Sequence, residues 1–122
     1  MQITEEEMAV YKETARWRWA HKLQQLVQRR KQARILARQA ADLLREQFGA
    51  NRVVMFGSLA RPDLFHPQSD VDIAVWGLDE RRYYRAVAQL LTLDPTIGID
   101  LVMVQDAPVS LRAIIDQEGV VV

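Results

Sequence analysis

The sequence predicts an α/β fold, in which a small β-sheet is flanked by helices and preceded by a long N-terminal helix. Residues 1–48 contain neither glycine nor proline and carry apolar side chains at helical spacing. Residues 50–122 instead alternate short apolar runs with amphipathic segments, an order typical of a sheet covered by helices. We therefore expect a helix or helix pair over residues 1–49 and a compact domain over residues 50–122.

The first 48 residues carry clear helix-start and helix-stop signals. Thr4 and Glu7 have the spacing of a capping box, and Gly49 is suited to a left-handed C-terminal stop. One helix between them would be roughly 65 Å long, whereas a compact domain of this size has a radius of gyration of about 13 Å. Either the helix projects beyond the body, or it breaks near residues 28–32. The apolar stripe that includes Trp19 must then be covered by the protein's own core, a partner or a second copy.

Four apolar runs predict strands, at residues 52–56, 71–76 and 99–104 and at the edge-forming residues 120–122. A helix is expected over residues 80–92, after the capping Asp79. Another begins around Pro108 and ends at Gly119. The side chains expected to face inward are Tyr84, Val87, Leu90 and Leu91 on the first, and Leu111, Ile114 and Ile115 on the second.

Composition limits the function. The chain of 122 residues has no cysteine, which excludes disulfides and zinc–thiolate sites. No apolar run has the roughly 20 residues of a membrane span, and the acidic start at residues 5–7 does not resemble a signal peptide, so we expect a cytoplasmic protein. The net charge is zero, but residues 1–48 hold ten basic and six acidic side chains. This balance argues against a dedicated nucleic-acid binder and leaves an acidic C-terminal part in which a cation site is expected.

Three carboxylates are the strongest indication of such a site. Asp70 and Asp72 lie two residues apart along a predicted strand, so both point to the same face. Asp100 is the second residue of another predicted strand and can join them if the two strands are neighbours. Adjacent carboxylates repel unless a cation lies between them, and an all-oxygen site suits Mg²⁺ or Mn²⁺.

A phosphate site is expected at the end of the first strand. Gly57 allows the backbone to approach a phosphate closely, and the hydroxyl and backbone N–H groups at Ser58 can donate to it. Arg61 follows one turn later and can reach the same oxygens. Phosphate donors beside metal-binding carboxylates are the parts that phosphoryl or nucleotidyl transfer requires.

These residues resemble the signature of the DNA polymerase β-like nucleotidyltransferase superfamily. The resemblance lies in residues 56–61 (Phe-Gly-Ser-Leu-Ala-Arg), 68–75 (Gln-Ser-Asp-Val-Asp-Ile-Ala-Val), 99–102 and 118–121, and covers about residues 50–122. The branch that it resembles most is the minimal nucleotidyltransferases, the MntA-type antitoxins of HEPN/MNT toxin–antitoxin pairs. The implied fold is a small mixed sheet of the polymerase β-like type with flanking helices.

The resemblance also implies roles for individual residues. Asp70, Asp72 and Asp100 would be the catalytic, Mg²⁺-binding carboxylates, with Asp100 helping to deprotonate the acceptor hydroxyl. The nucleotide would be bound by Gly57, Ser58, Arg61 and Ser69. The sequence departs from the family pattern in two places. The spacing from Ser58 to Asp70 is one residue longer than is common, and Pro62 stands where a glycine often follows the arginine.

The implied activity is transfer of AMP from ATP to a hydroxyl, such as a tyrosine of a HEPN toxin that is thereby silenced. Two alternatives remain at this stage. One is a related enzyme that modifies a small molecule such as an aminoglycoside, and the other is a non-catalytic module that neutralises its partner by contact. A homodimer through the N-terminal helix is also open.

Overall fold

The computed structural model describes residues 2–122, with the side chain of Pro62 left out. Its helices and strands are α1 (Glu5–Phe48), β1 (Arg52–Phe56), β2 (Val71–Trp76), α2 (Tyr83–Leu90), β3 (Ile99–Met103), α3 (Val109–Glu118) and β4 (Val120–Val121). Single 3₁₀ turns lie at Gly57–Leu59, Pro62–Leu64, Glu80–Arg82 and Val104–Asp106. The predicted α/β class, with its long N-terminal helix, is confirmed.

The four strands form one mixed sheet in the order β3-β2-β1-β4. β1 pairs antiparallel with β2 and with β4, whereas β2 and β3 run parallel and are joined through α2. A parallel pair needs such a crossover connection, while the antiparallel pairs do not. The parallel register sets the first residues of β2 beside the first residues of β3 at one end of the sheet.

Helix α1 is continuous through residues 28–32, so the chain does not break there into two helices. The capping box at Thr4 and Glu7 is present at its start, and Gly49 ends it with φ 68°. Its N-terminal half projects beyond the body, where Trp17 and Trp19 are 66% and 65% exposed. The protein's own core therefore does not cover these side chains. Despite its length, α1 is not apolar enough to cross a membrane, and neither is any other helix within residues 2–122.

The C-terminal half of α1 packs on one face of the sheet together with α2, and α3 covers the other face. Small side chains allow α1 to approach the strands closely, because an alanine adds little beyond the helix backbone. The buried residues of α1 are Ala33, Leu36, Ala37, Ala40, Ala41, Leu44 and Phe48. Alternate strand residues contact the two layers, as Val53 and Met55 do on the α1 side and Val54 and Phe56 on the α3 side.

The predicted inner faces of α2 and α3 need correction. Leu90 is buried and Val87 packs against the core, as expected, but Tyr84 and Leu91 are 84% and 55% exposed, and Ala86 is buried in addition. Residues 80–82 form a 3₁₀ turn, which advances by 3.0 rather than 3.6 residues per turn, so the buried face of α2 is rotated from the one expected. On α3, Ile115 is buried but Ile114 is 44% exposed, because only a narrow stripe of this helix contacts the sheet.

Candidate functional site

Two of the three predicted carboxylates are direct neighbours in the sheet. Asp72 on β2 is paired with Asp100 on β3 in the parallel register. Paired residues on adjacent strands lie about 4.8 Å apart and point to the same face. Asp70 immediately precedes β2 at the same end of the sheet. The fold therefore brings Asp70, Asp72 and Asp100 to one sheet end, as the sequence predicted.

The three carboxylates at this end of the sheet repel one another when no cation is bound. Burial raises the pKa of Asp72 to about 6, and the charges of Asp100 and Asp70 add to the effect in that order. No lysine, arginine or histidine within residues 2–122 forms an ion pair with any of the three. Like charges held together without a counter-charge leave a site at which a cation is stabilising.

Gly57 brings the backbone after β1 against these carboxylates. It follows Phe56, which is the register partner of Asp72, and it has φ 71°. A Cβ atom at Gly57 would overlap the Oδ2 atom of Asp72, so glycine is the residue that fits between this turn and the carboxylate without displacing it. Ser58 lies in the 3₁₀ turn that Gly57 begins. The first N–H groups of a helical turn have no partner inside it and can donate to an anion.

A second close approach fixes the surroundings of Asp70. The N–H group of Val71 donates to the carbonyl oxygen of Gly98 at 2.9 Å, which joins the start of β2 to the segment before β3. A Cβ atom at Gly98 would lie 3.0 Å from the Oδ1 atom of Asp70. The Asp70 carboxylate therefore lies against the backbone at Gly98.

The two remaining predicted nucleotide-binding residues, Arg61 and Ser69, form contacts with other residues of the chain. Arg61 pairs with Glu118 at 3.3 Å and with Asp63 at 3.9 Å, which directs its guanidinium towards the end of α3. Ser69 is buried, and its hydroxyl accepts a hydrogen bond from the N–H group of His66 at 2.9 Å. Ser69 thus stabilises the loop before Asp70. A direct role of Arg61 or Ser69 towards a nucleotide stays a prediction.

The oxygen donors fit a divalent cation in chemistry, but they do not form a closed cage. Within residues 2–122, no three histidine, cysteine, aspartate or glutamate side chains converge closely enough to hold a metal ion. Such a cage is not required for Mg²⁺, which keeps several waters and is usually bound by one or two carboxylates together with substrate phosphates. The uncompensated Asp70, Asp72 and Asp100 group fits that mode of binding.

One residue beside the site was not expected from the sequence. Arg29 on α1 donates to the carbonyl oxygens of Ser69 and Thr96, which belong to the loops before β2 and β3. The only signal in the sequence was the polar interruption of the apolar stripe at residues 28–32. That interruption suggested a break in the helix, whereas here it supplies a polar contact on the body-facing side.

A surface groove runs around the outer edge of β3, beginning next to Asp100 at Leu101. It is lined by Val102 and, among others, Tyr84, Met103, Pro108 and Leu111. Because β3 is an edge strand, the groove is open to solvent on its outer side. The carboxylates therefore lie near the end of an amphipathic surface.

Sequence comparison with protein families finds a match over residues 38–122 to the family described as Polymerase beta, Nucleotidyltransferase. The matched region contains all the candidate site residues and the last three turns of α1. No protein with a curated function is significantly similar in sequence to this chain.

Several solved structures share the fold. One is a complex described as the toxin–antitoxin with AMP-PNP, at 26% identity and a TM-score of 0.57, covering 66% of this chain and 67% of that one. A mutant MntA–HpeT toxin–antitoxin has 22% identity and a TM-score of 0.58, with 70% of both chains covered. A tri-AMPylated Shewanella oneidensis HEPN toxin in complex with an MNT antitoxin has 22% identity and a TM-score of 0.55, covering 73% of this chain and 70% of that one.

Proposed function

The chain belongs to the polymerase beta nucleotidyltransferase family, and from that premise we propose that it transfers AMP from ATP to a hydroxyl group of a partner protein and acts as an antitoxin. The motif in the sequence predicted this family, and the family match confirms it. The acceptor that we propose is a tyrosine of a HEPN-type toxin. The support for this partner is the similarity to solved toxin–antitoxin complexes, one of which contains an AMPylated toxin.

The observation that carries the proposal is the meeting of a backbone turn and three carboxylates at one end of the sheet. Gly57 lies against Asp72, and Asp72 is paired with Asp100. The turn offers N–H donors to a triphosphate, and the carboxylates offer ligands to the divalent ions, proposed as Mg²⁺, that accompany it. No nucleophilic side chain is needed, because nucleotidyl transfer can proceed directly between two oxygens.

In the proposed reaction, the acceptor oxygen forms a bond to the α-phosphorus, and the bond from that phosphorus to the pyrophosphate oxygen breaks. Asp100 accepts the proton of the acceptor hydroxyl. Asp70 and Asp72 would hold the divalent ions, and Gly57 and Ser58 would donate to the phosphate oxygens of the triphosphate. Bound divalent ions supply Lewis acidity that offsets the charge on the leaving pyrophosphate.

Helix α1 provides a surface on which the acceptor protein can dock. Trp19, Leu26 and Ala33 are spaced by seven residues, close to two helical turns, and lie on one side of α1. Ala33 packs into the body, so the side on which it packs continues outward as an exposed stripe with Trp19 and Leu23. The helix leaves the body beside Ser69 and Thr96, at the end of the sheet that carries the carboxylates. A protein seated on this stripe would therefore lie beside the loops before β2 and β3, which lead into the site.

The test is transfer of label from radioactive ATP to a co-purified HEPN-type partner in the presence of Mg²⁺. The wild-type protein should label the partner, and Asp70→Asn should abolish labelling while leaving the fold intact. Asp116→Asn on α3 removes one exposed carboxylate away from the site and should label normally. Undiminished labelling by Asp70→Asn would show that the assignment of this carboxylate to the metal site is wrong.

Two further measurements separate this proposal from the other activities. Calorimetry with ATP and Mg²⁺ should show binding, and its absence would favour neutralisation by contact alone. Mass spectrometry of the partner should find an added AMP on a tyrosine. An unmodified partner in the presence of an active enzyme would point instead to a small-molecule acceptor.

A further inference from the structure

Arg29 on α1 contacts both loops that lead into the carboxylate site. Its Nη2 atom donates to the carbonyl oxygen of Ser69 at 3.2 Å, and its Nη1 atom donates to the carbonyl oxygen of Thr96 at 3.3 Å. Ser69 directly precedes Asp70, and Thr96 lies two residues before Gly98. The two bonds link α1 to segments 40 and 67 residues away in sequence.

The side chain of Arg29 is committed to these two carbonyls. In the part of the chain that the structure describes, Arg29 forms no ion pair with a carboxylate, and its Nε atom is buried without a hydrogen-bond partner. A guanidinium presents donors in a fixed planar arrangement, and hydrogen bonds from a charged donor are stronger than neutral ones. One rigid group therefore fixes two backbone carbonyls relative to each other.

The loop before β3 is also held by hydrogen bonds of its own. The N–H and hydroxyl groups of Thr96 both donate to the Oδ1 atom of Asp94 at 2.7 Å. The backbone N–H of Thr96, and to a lesser extent the side chains of Thr96 and Gln32, hold the pKa of Asp94 below its ordinary value. Gln32 is one turn beyond Arg29 on α1. The loop is thus held at the Asp94 carboxylate and at the Thr96 carbonyl.

The two loops are also joined to each other next to Asp70. The N–H group of Val71 bonds to the carbonyl oxygen of Gly98, and the Asp70 carboxylate lies against Gly98. A shift of either loop would therefore move Asp70 relative to Asp72 and Asp100. Arg29 is the side chain that opposes such a shift from both sides.

We propose that Arg29 is a positioning residue, which holds the Ser69 and Thr96 carbonyls and thereby sets the place of the Asp70 carboxylate in the site. Arg29 does not touch the reacting atoms in this proposal. Its effect on AMP transfer rests on the proposed function, but its effect on the two loops does not. Because Asp70 is proposed to bind metal, loss of Arg29 should weaken metal binding and lower kcat more than it changes the KM for the acceptor.

The variants are Arg29→Met, which keeps length but removes the donors, and Arg29→Lys, which keeps the charge and can reach one carbonyl. Arg38→Met is the matched control, since Arg38 is an exposed arginine on the same helix and does not contact these loops in the hydrogen bonds of the described chain. Three properties are measured: hydrogen exchange at the Ser69 and Val71 amides, Mn²⁺ affinity by electron paramagnetic resonance, and AMP transfer.

We expect Arg29→Met to speed exchange at both amides, to weaken Mn²⁺ binding, and to lower kcat by about tenfold to a hundredfold, the scale on which small misplacements act. Arg29→Lys should recover part of each effect, and Arg38→Met should match the wild type. Wild-type Mn²⁺ affinity and kcat in a folded Arg29→Met protein would overturn the proposal, as would unchanged exchange. In another outcome, the wild type transfers no AMP while Arg29→Met, unlike Arg38→Met, still speeds amide exchange and weakens Mn²⁺ binding. In that case the positioning role of Arg29 stands and the proposed function fails. If Arg29→Met unfolds, Arg29→Lys decides on the same three measurements.

Discussion

Asp72 on β2 lies directly opposite Asp100 on β3, and no basic side chain within residues 2–122 pairs with either. Burial and the neighbouring charges raise the pKa of Asp72 to about 6. A protein that folds with two adjacent, uncompensated carboxylates gives up stability at neutral pH. That loss is what a bound cation would restore, so stability measurements can report on the site without any substrate.

Replacing Asp72 by asparagine should stabilise the protein at pH 8. The raised pKa means that protonated Asp72 contributes stability that is fully present below the unfolded pKa near 3.8 and is lost as the pH rises through about 6. After allowance for solvent screening of this half-buried group, the gain is about 1 kcal/mol, or a Tm higher by about 4 °C. Thermal unfolding at pH 8 and pH 4 measures it.

The difference in Tm between Asp72→Asn and the wild type should shrink as the pH falls from 8 to 4. Added Mg²⁺ should raise the Tm of the wild type and not that of Asp72→Asn. Equal Tm values for the two proteins at pH 8 would contradict the unfavourable charge at this position.

Replacing Gly57 by alanine should destabilise the protein and disturb the site. The positive φ costs about 1–2 kcal/mol for any other L-residue, and the new Cβ atom would displace the Asp72 carboxylate. Gly49→Ala is the matched control, because Gly49 has a similar φ of 68° but no atom within 4 Å of the added Cβ. Unfolding by urea should detect both variants, whereas only Gly57→Ala should weaken binding of ATP with Mg²⁺. Equal nucleotide affinity in both would argue against a Gly57 role at the phosphates.

Trp19 and Trp17 should behave differently towards an acceptor protein. Both are about two-thirds exposed, but two residues on a helix are roughly 200° apart, so they lie on opposite sides of α1. Trp19→Ser should reduce labelling of the partner at least tenfold, while Trp17→Ser, which removes a ring stacked on His21, should not. Neither should change the Tm by more than a degree or two. Loss of labelling in Trp17→Ser alone would place the docking face on the other side of the helix.

The ion pair between Arg61 and Glu118 should compete with nucleotide binding. We expect Arg61 to give up its ion pair with Glu118, which is 3.3 Å away, if it binds a triphosphate. Glu118→Gln should therefore tighten ATP binding a few-fold, and Arg61→Gln should weaken it. Both side chains are partly exposed, so the pair contributes less than about 1 kcal/mol to stability. Calorimetry with ATP and Mg²⁺ measures these affinities. Equal affinity for ATP in the two variants would show that Arg61 does not bind the nucleotide.

The three carboxylates could be predicted because their positions at the starts of short strands follow from the local sequence. Asp70 and Asp72 had to be near each other, and Asp100 had to lie near the start of its strand. Gly57 was predictable as a turn after a strand. The inner face of α2 was not, because the preceding 3₁₀ turn changed the rotation of the helix, and so Tyr84 was expected inside and lies outside.

The sequence by itself determined the elements, the family motif and the identity of the charged groups, since caps, glycine stops and apolar periodicity act over a few residues. Only the tertiary structure decided that β2 and β3 are parallel neighbours, that α1 is unbroken, and that Arg29 reaches the loops before both strands. The physical reason is distance along the chain. Contacts between residues 40 or 67 positions apart depend on how the layers pack, and no local pattern around Arg29 encodes its partners.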